Sequence, residues 1–346
     1  MSNISCDIII PVLDQLELTR KCLESIRDRT HSPCNLTLVD NNSGQDTKDF
    51  LKKFASENKF VKIVNNAENL GWVRAVNQGM KLSASPYICV MNNDTVAVTE
   101  DWLNKMIAVA ELEPEIGLVN PRFDIKNEAS SGNPFIEIDF CRGYCVLVKR
   151  SVMERIGSLD EAYGLGYYDD DDYSVRAIRA GFKCVRANDV VVRHLRDSTF
   201  SSVFTDTKRR ELHEKNKRLF YSKWGKRLKL VFINTRGNDK NLSDLAISLA
   251  RRQHVVYLWS RAPLNIEHIN IREKILPELF FRYFAPVGLA LNKAKRPEKR
   301  YDLVFFDDAK LGRLIQGIRP DASCIDIEKD RTKIDQLVDS AARDSG

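Results

Sequence analysis

No stretch of this 346-residue chain approaches twenty consecutive apolar residues, although 43% of it is hydrophobic. A helix that crosses a bilayer needs about twenty, so the composition is that of a water-soluble protein. Met1-Ser-Asn-Ile-Ser runs straight into an apolar segment without the charged and apolar leader of a secretory signal. The eight cysteines (Cys6, Cys22, Cys34, Cys89, Cys141, Cys145, Cys184 and Cys324) include no Cys-x-x-Cys pair and are too sparse for a disulfide scaffold. They are expected to be reduced packing residues, and the chain to be cytoplasmic. Glycine is scarce after the first apolar run: Leu13-Asp-Gln-Leu-Glu17 has neither the glycines nor the basic residues of a phosphate loop, which argues against a nucleotidyltransferase. There is no internal repeat and no low-complexity segment. The net charge of +6 comes without any nucleic-acid-binding motif, so nucleic acid is not an expected partner.

What is present is an alternation. Cys6–Val12 is a short apolar run, Leu16–Arg29 has the spacing of an amphipathic helix, and residues 36–40 form a second strand ending in the turn residues Asn41-Asn-Ser-Gly44. A helix over 47–58, a strand over 61–64, a helix over Trp72–Leu82 and a buried-looking strand over Tyr87–Met91 follow. Strands alternating with helices predict βαβ units and a mainly parallel sheet with helices on both faces, an α/β fold. The length predicts two domains, divided here into 1–227 and 228–346.

Two acidic features stand out. Asp169, Asp170, Asp171 and Asp172 form an unbroken run between an aromatic-glycine segment (Gly164, Gly166, Tyr167, Tyr168) and a helical stretch ending at Gly181. Four adjacent carboxylates repel one another, so something offsets them: a metal, a cationic substrate face, a helix N-terminus or a proton held at raised pKa. An acidic first turn of an ordinary helix is the plain alternative. The second feature, Asn92-Asn93-Asp94, directly follows the strand Tyr87–Met91, and carboxyl ends of strands in α/β sheets are where ligands bind.

Residues 6 to about 225 resemble the family 2 glycosyltransferases of GT-A fold, the branch that builds bacterial surface polysaccharides such as O-antigen. The resemblance is carried by Ile8-Ile-Ile-Pro-Val12, Leu38-Val-Asp-Asn-Asn-Ser43, Asn69-Leu-Gly-Trp-Val-Arg-Ala-Val-Asn-Gln-Gly79, Met91-Asn-Asn-Asp-Thr95, Gly157-Ser-Leu-Asp-Glu161 and Tyr168 to Gly181, in that order. It implies an inverting, hexosyltransferase-type enzyme. The sugar would pass from a nucleotide-diphosphate donor, a UDP- or dTDP-sugar, to a glycan or lipid-linked saccharide.

By the same resemblance, Asp94 and His194 would bind a divalent cation, Mn2+ or Mg2+, which offsets charge on the departing diphosphate. Asn92 and Asn93 stand where relatives have acids; they would lie on the nucleotide, bringing hydrogen bonds to ribose or phosphate without charge. Aligned on Arg176 and Gly181, Asp170 falls on the general base and Asp169 on an acceptor-binding position, with Asp172 placed either to cap the helix or to reach Arg176. Asp40 either caps the turn Asn41 to Gly44 or, as the resemblance implies, accepts the imide N–H of uracil or thymine, the reading preferred here; Pro11, Gly71, Arg74 and Asn77 would lie along the nucleotide, Arg74 toward a phosphate. Gly143 would let backbone approach the donor sugar or acceptor, or simply make a tight turn. The amides at 92 and 93 sustain a second reading, a catalytically reduced module that binds nucleotide or glycan as a scaffold.

Between Lys208 and Lys229 there are ten Lys or Arg against Glu211 and Glu214, with aromatic residues interleaved. This is either a solvated helix closing the first domain or a surface for anionic lipid, which would make the protein peripheral to the inner face of a membrane. From Lys229 onward, strands over 229–234, 255–259 and 301–307 and helices over 243–252 and 310–317 predict a smaller Rossmann-like α/β domain, weakly similar to half of a GT-B glycosyltransferase. The aromatic segment 276–292 and the basic run 293–300 are either a core helix with its loop or a membrane or partner contact.

Overall fold

The computed structural model describes residues 5–123, 132–195, 206–236, 240–277, 284–289, 300–318 and 323–344. They fall into two compact units, Met1–Arg218 and Leu219–Gly346. Among the described residues, no helix is long and apolar enough to cross a membrane.

The first unit is built on β1 (Cys6–Val12), every residue of which is buried. It lies between two parallel neighbours, β2 (Cys34–Asp40) and β4 (Tyr87–Met91). A strand covered on both faces reads as a continuous apolar run rather than an alternating one. Its alternation appears instead in three dimensions: Ile8, Ile10 and Val12 enter one core and Ile9 the other. The sheet continues outward through β3 (Val61–Asn65) on one side. On the other it runs through β8 (Cys145–Lys149), β6 (Ile116–Arg122), β9 (Lys183–His194) and the three-residue β5 (Thr95–Ala97), with β7 (Phe135–Ile138) also on β9. Strands β3, β2, β1 and β4 are mutually parallel, whereas β8 runs antiparallel to both β4 and β6.

Helices α1 (Leu16–Arg29), α2 (Gln45–Glu57) and α3 (Trp72–Leu82) fill the crossovers between parallel strands; α4 (Trp102–Ala110), α5 (Arg150–Ile156) and α6 (Asp169–Arg179) follow. The α3 helix packs so close to β1 that a Cβ on Gly79 would sit 2.3 Å from Ile9 Cγ2. Gly79→Ala is therefore expected to cost about 1–3 kcal/mol by overpacking, read as a lower urea midpoint at unchanged slope.

A last long helix, α7 (Asp206–Trp224), precedes the second sheet. That sheet is parallel throughout, in the order β12-β11-β10-β13-β14: Ile271–Ile275, Val255–Ser260, Lys229–Asn234, Leu303–Phe306 and Ser323–Asp326. Helices α8 (Lys240–Arg251), α9 (Ala309–Ile318) and α10 (Ile334–Asp344) accompany it, and Phe232 and Phe305 stack at 4.2 Å across its centre. The Rossmann-like expectation for this region is met. Strands β12 and β14 were not anticipated, because Ile-Arg-Glu-Lys-Ile is mostly polar and Ser-Cys-Ile-Asp is four residues long with a single β-branched one. Much of the aromatic and basic segment, residues 278–283 and 290–299, lies outside the described residues.

Candidate functional site

The carboxyl ends of β1, β2 and β4 share one edge of the sheet, and the antiparallel β8 begins there, since Met91 pairs with Cys145. At the end of β2, Asp40 is fully buried. Its Oδ1 accepts the N–H of Ser43 at 2.9 Å, the turn role read from the sequence. Its Oδ2 is buried with no hydrogen-bond partner among the described residues, an acceptor in want of a donor. Pro11 lies beside it in β1, paired with Val39. The β1–β4 ladder ends at Ile9–Val90, short of Pro11, which has no N–H to extend it.

The three-residue β5 turns the chain after Asp94 antiparallel to the end of β9, with Thr95 opposite His194. Asp94 and His194, a hundred residues apart, are thereby brought together: Nε2 lies 3.1 Å from Asp94 Oδ1 and 3.3 Å from Asn92 Nδ2. Tyr144 stacks on the imidazole at 5.4 Å, and Asp94 is only 4% exposed. A divalent cation fits this donor set. Two ligands at right angles about one ion at about 2.1 Å stand about 3 Å apart, and the pair combines a hard oxygen with an imidazole. Among the described residues no group of three or more metal-ligating side chains occurs. Asn93 points elsewhere, donating to Thr19 Oγ1 on α1 at 2.9 Å.

Gly71, Arg74 and Asn77 all face residues 159–165. Gly71 has φ 81°, and a Cβ there would meet Leu165 Cδ2 at 2.7 Å, so both backbone angle and space require glycine. Arg74 pairs with Glu161 at 3.3 Å. Buried Asn77 accepts from Leu159 N at 3.0 Å and donates to Leu159 O at 2.9 Å, which makes it a strut between α3 and that segment.

The four aspartates form the first turn of α6 and have four different environments. Asp169 is buried, and its Oδ2 accepts the indole N–H of Trp72 at 3.1 Å. Asp170 accepts from Gly143 N at 2.9 Å and from Asp171 N at 3.0 Å. Asp171 is partly exposed. Asp172, 1% exposed, accepts from Arg176 Nε at 2.9 Å and from the Tyr163 hydroxyl at 3.2 Å, while Arg176 also donates to the carbonyls of Ile156 and Ser158. Asp172 thus reaches Arg176, one of its two expected roles.

Burial, then the neighbouring Asp170 charge, pushes the Asp169 carboxyl up to about 8, against the pull of the Trp72 N–H. Asp170 is also raised by burial, opposed by the Gly143 and Asp171 N–H groups and by Arg142. A cavity of about 30 Å³, lined by both carboxylates with Trp72, Met80, Val146 and Tyr173, accounts for the poor solvation.

Two contributors were not foreseen. Trp72 opens the helix expected over Trp72–Leu82 and had no role of its own assigned to it. Asn216, inside the basic stretch, is fully buried and donates to Tyr163 O at 2.8 Å and Gly166 O at 2.7 Å. The loop it holds leads into α6 through Tyr167 and Tyr168, both in the left-handed region at φ 70° and 67°, a conformation that costs a side-chain-bearing residue about 1–2 kcal/mol. An uncharged amide among so many charged polar residues was the available signal.

Residues 7–135 match the model of glycosyl transferase family 2. Among curated relatives, glycosyltransferase AglE of Haloferax volcanii is 23% identical over 202 residues, covering 54% of this chain and 66% of the relative. The poly-beta-1,6-N-acetyl-D-glucosamine synthase of Staphylococcus aureus is 22% identical over 175 residues, 47% of this chain and 42% of the relative. The chain thus spans less than two thirds of the length of either. Among solved structures, mannosyltransferase PcManGT from Pyrobaculum calidifontis, in complex with GDP-Man and Mn2+, aligns with a TM-score of 0.49 at 17% identity, over 56% of this chain and 57% of that one.

Proposed function

We propose that the family 2 glycosyl transferase segment of this chain belongs to an inverting transferase of GT-A type, one that moves a sugar from a nucleotide-diphosphate donor to a saccharide acceptor. The observation that carries this reading is the meeting, at one sheet edge, of an orphan buried acceptor (Asp40), a carboxylate–imidazole pair (Asp94 and His194) and a carboxylate held by two backbone N–H groups (Asp170). Each matches one need of the reaction: recognition of a base, neutralisation of a diphosphate, and removal of a hydroxyl proton.

Asp40 Oδ2 accepts the imide N–H of uracil or thymine, hence a UDP- or dTDP-sugar. Asp94 and His194 hold Mn2+ or Mg2+, which when bound offsets charge on the diphosphate; Asn92 borders that pair. Asp170 takes the proton of the acceptor hydroxyl, and Asp169 faces the acceptor with the Gly143 backbone. The acceptor is a growing glycan or lipid-linked saccharide of a surface polysaccharide, approached from the cytoplasmic side with the basic stretch 208–229 toward anionic lipid. The transferase domain takes in residues 1–227, and the Rossmann-like remainder does not catalyse.

Titration of UDP by calorimetry tests this. Mn2+ is expected to raise affinity at least about tenfold, and Asp94→Ala to remove that gain, since Asp94 would supply the carboxylate that holds the cation and the cation would offset the diphosphate charge. Equal affinity with and without Mn2+ would defeat the assignment of the metal ligands. The second reading, a binding scaffold, draws on the uncharged Asn92 and Asn93. It requires UDP binding without any turnover of UDP-sugars.

A further inference from the structure

We propose that Trp72 is a positioning residue for the acidic pair: its indole N–H fixes the Asp169 carboxyl in one orientation beside Asp170 and, by donating to it, limits how tightly Asp169 holds the pair's proton while the charge stays on Asp170. The inference deepens the reading of Asp170 as base and rests on it.

It starts from the asymmetry of the hydrogen bonds. Both oxygens of Asp170 are engaged by backbone N–H groups, Oδ2 by Gly143 and Oδ1 by Asp171. Backbone N–H groups only donate, so two of them favour the ionised carboxylate. Asp169 receives one side-chain donor, at Oδ2, and is the more deeply buried of the two. The remaining surroundings point the same way. From the segment before β8, Arg142 favours charge on Asp170, and Cys141 contributes a buried thiol. On α6 itself, Asp171 and Asp172 repel a further negative charge, with Asp172 compensated by Arg176. Helix α3 presents Trp72, which carries no charge. Two carboxylates in one poorly solvated turn titrate in two macroscopic steps. The donors assign the lower step to Asp170 and the upper one to Asp169.

An indole is suited to this because its N–H donates, never accepts and does not titrate in the working range. It holds Asp169 in one orientation whatever the charge of the pair. Trp72 is also the first residue of α3, next to Gly71, so the bond ties the 69–71 loop directly to the acidic turn.

The experiment is a carbon NMR titration of protein labelled at the aspartate carboxyls, with Asp169→Asn and Asp170→Asn spectra identifying the two signals. No sugar donor is needed, so its result stands apart from the UDP and Mn2+ titration that tests the transferase reading. Trp72→Phe, which keeps the ring and loses the N–H, is expected to raise the Asp169 midpoint by about one pH unit and to leave that of Asp170 nearly in place. Asp170→Asn should lower the Asp169 midpoint, by removing a like charge, whereas Asp169→Asn should barely move Asp170. A Trp72→Phe protein with native amide spectrum and an unmoved Asp169 midpoint overturns the proposal. So does a lower step on Asp169, which decides the matter even if Trp72→Phe fails to fold.

Discussion

Asp170→Asn is expected to lower turnover by about two to four orders of magnitude, the usual worth of a general base, and to leave UDP and Mn2+ binding intact. Asparagine keeps the shape but can accept only one of the Gly143 and Asp171 N–H groups through its single carbonyl oxygen, so a native amide spectrum is the check that the turn holds. What disappears is the capacity to take a proton. UDP release from whichever UDP-sugar supports turnover gives the rate, and calorimetry gives the binding. Near-normal turnover in Asp170→Asn, with loss in a neighbouring substitution, would move the base within the run. If none of the four aspartates matters, the transferase reading fails.

Arg176→Ala should be the most damaging single truncation in α6, at about 3–5 kcal/mol, because removing one partner of a buried ion pair strands the other. Asp172 is almost wholly enclosed, and Arg176 pairs with it while also donating to the carbonyls of Ile156 and Ser158. Urea unfolding followed by circular dichroism measures the loss. Asp171→Asn, on the partly exposed side of the same turn, should stay within about 0.5 kcal/mol of the parent. Equal stability of the two variants would mean that water, rather than Arg176, satisfies Asp172. Adjacent residues of one type are thus expected to differ by orders of magnitude in what their loss does. The cause is the 100° step between successive helical positions, which aims each carboxylate at a different wall.

Most of the parallel half of the first sheet was legible, because its strands are continuous apolar runs and its helices keep a clear period. Cys6–Val12, Leu16–Arg29, Trp72–Leu82 and Tyr87–Met91 all lie where the pattern puts them. The position of Asp94 at a strand end was equally readable. Its partnership with His194 was suggested by resemblance alone, since it depends on a β5 too short to leave any periodicity. Nor does a sequence disclose that Asn77 turns inward to Leu159, or that Trp72 sends its N–H toward a carboxylate ninety-seven positions later. Those are facts of packing between elements, and side-chain direction follows from the neighbours an element meets rather than from its own composition.

The amide of Asn216 also has a consequence for synthesis of the chain. A nascent polypeptide that has released its first two hundred residues already holds every acid and imidazole assigned here to chemistry. It does not yet hold the side chain that pins the carbonyls of Tyr163 and Gly166 fifty or more positions back. Until α7 leaves the ribosome and docks, nothing offsets the two left-handed tyrosines through those bonds, and the turn that carries Asp170 has a looser start. Since chains fold as they are made, N-terminal part first, the centre should be completed last, by a helix that contributes no reacting group to it.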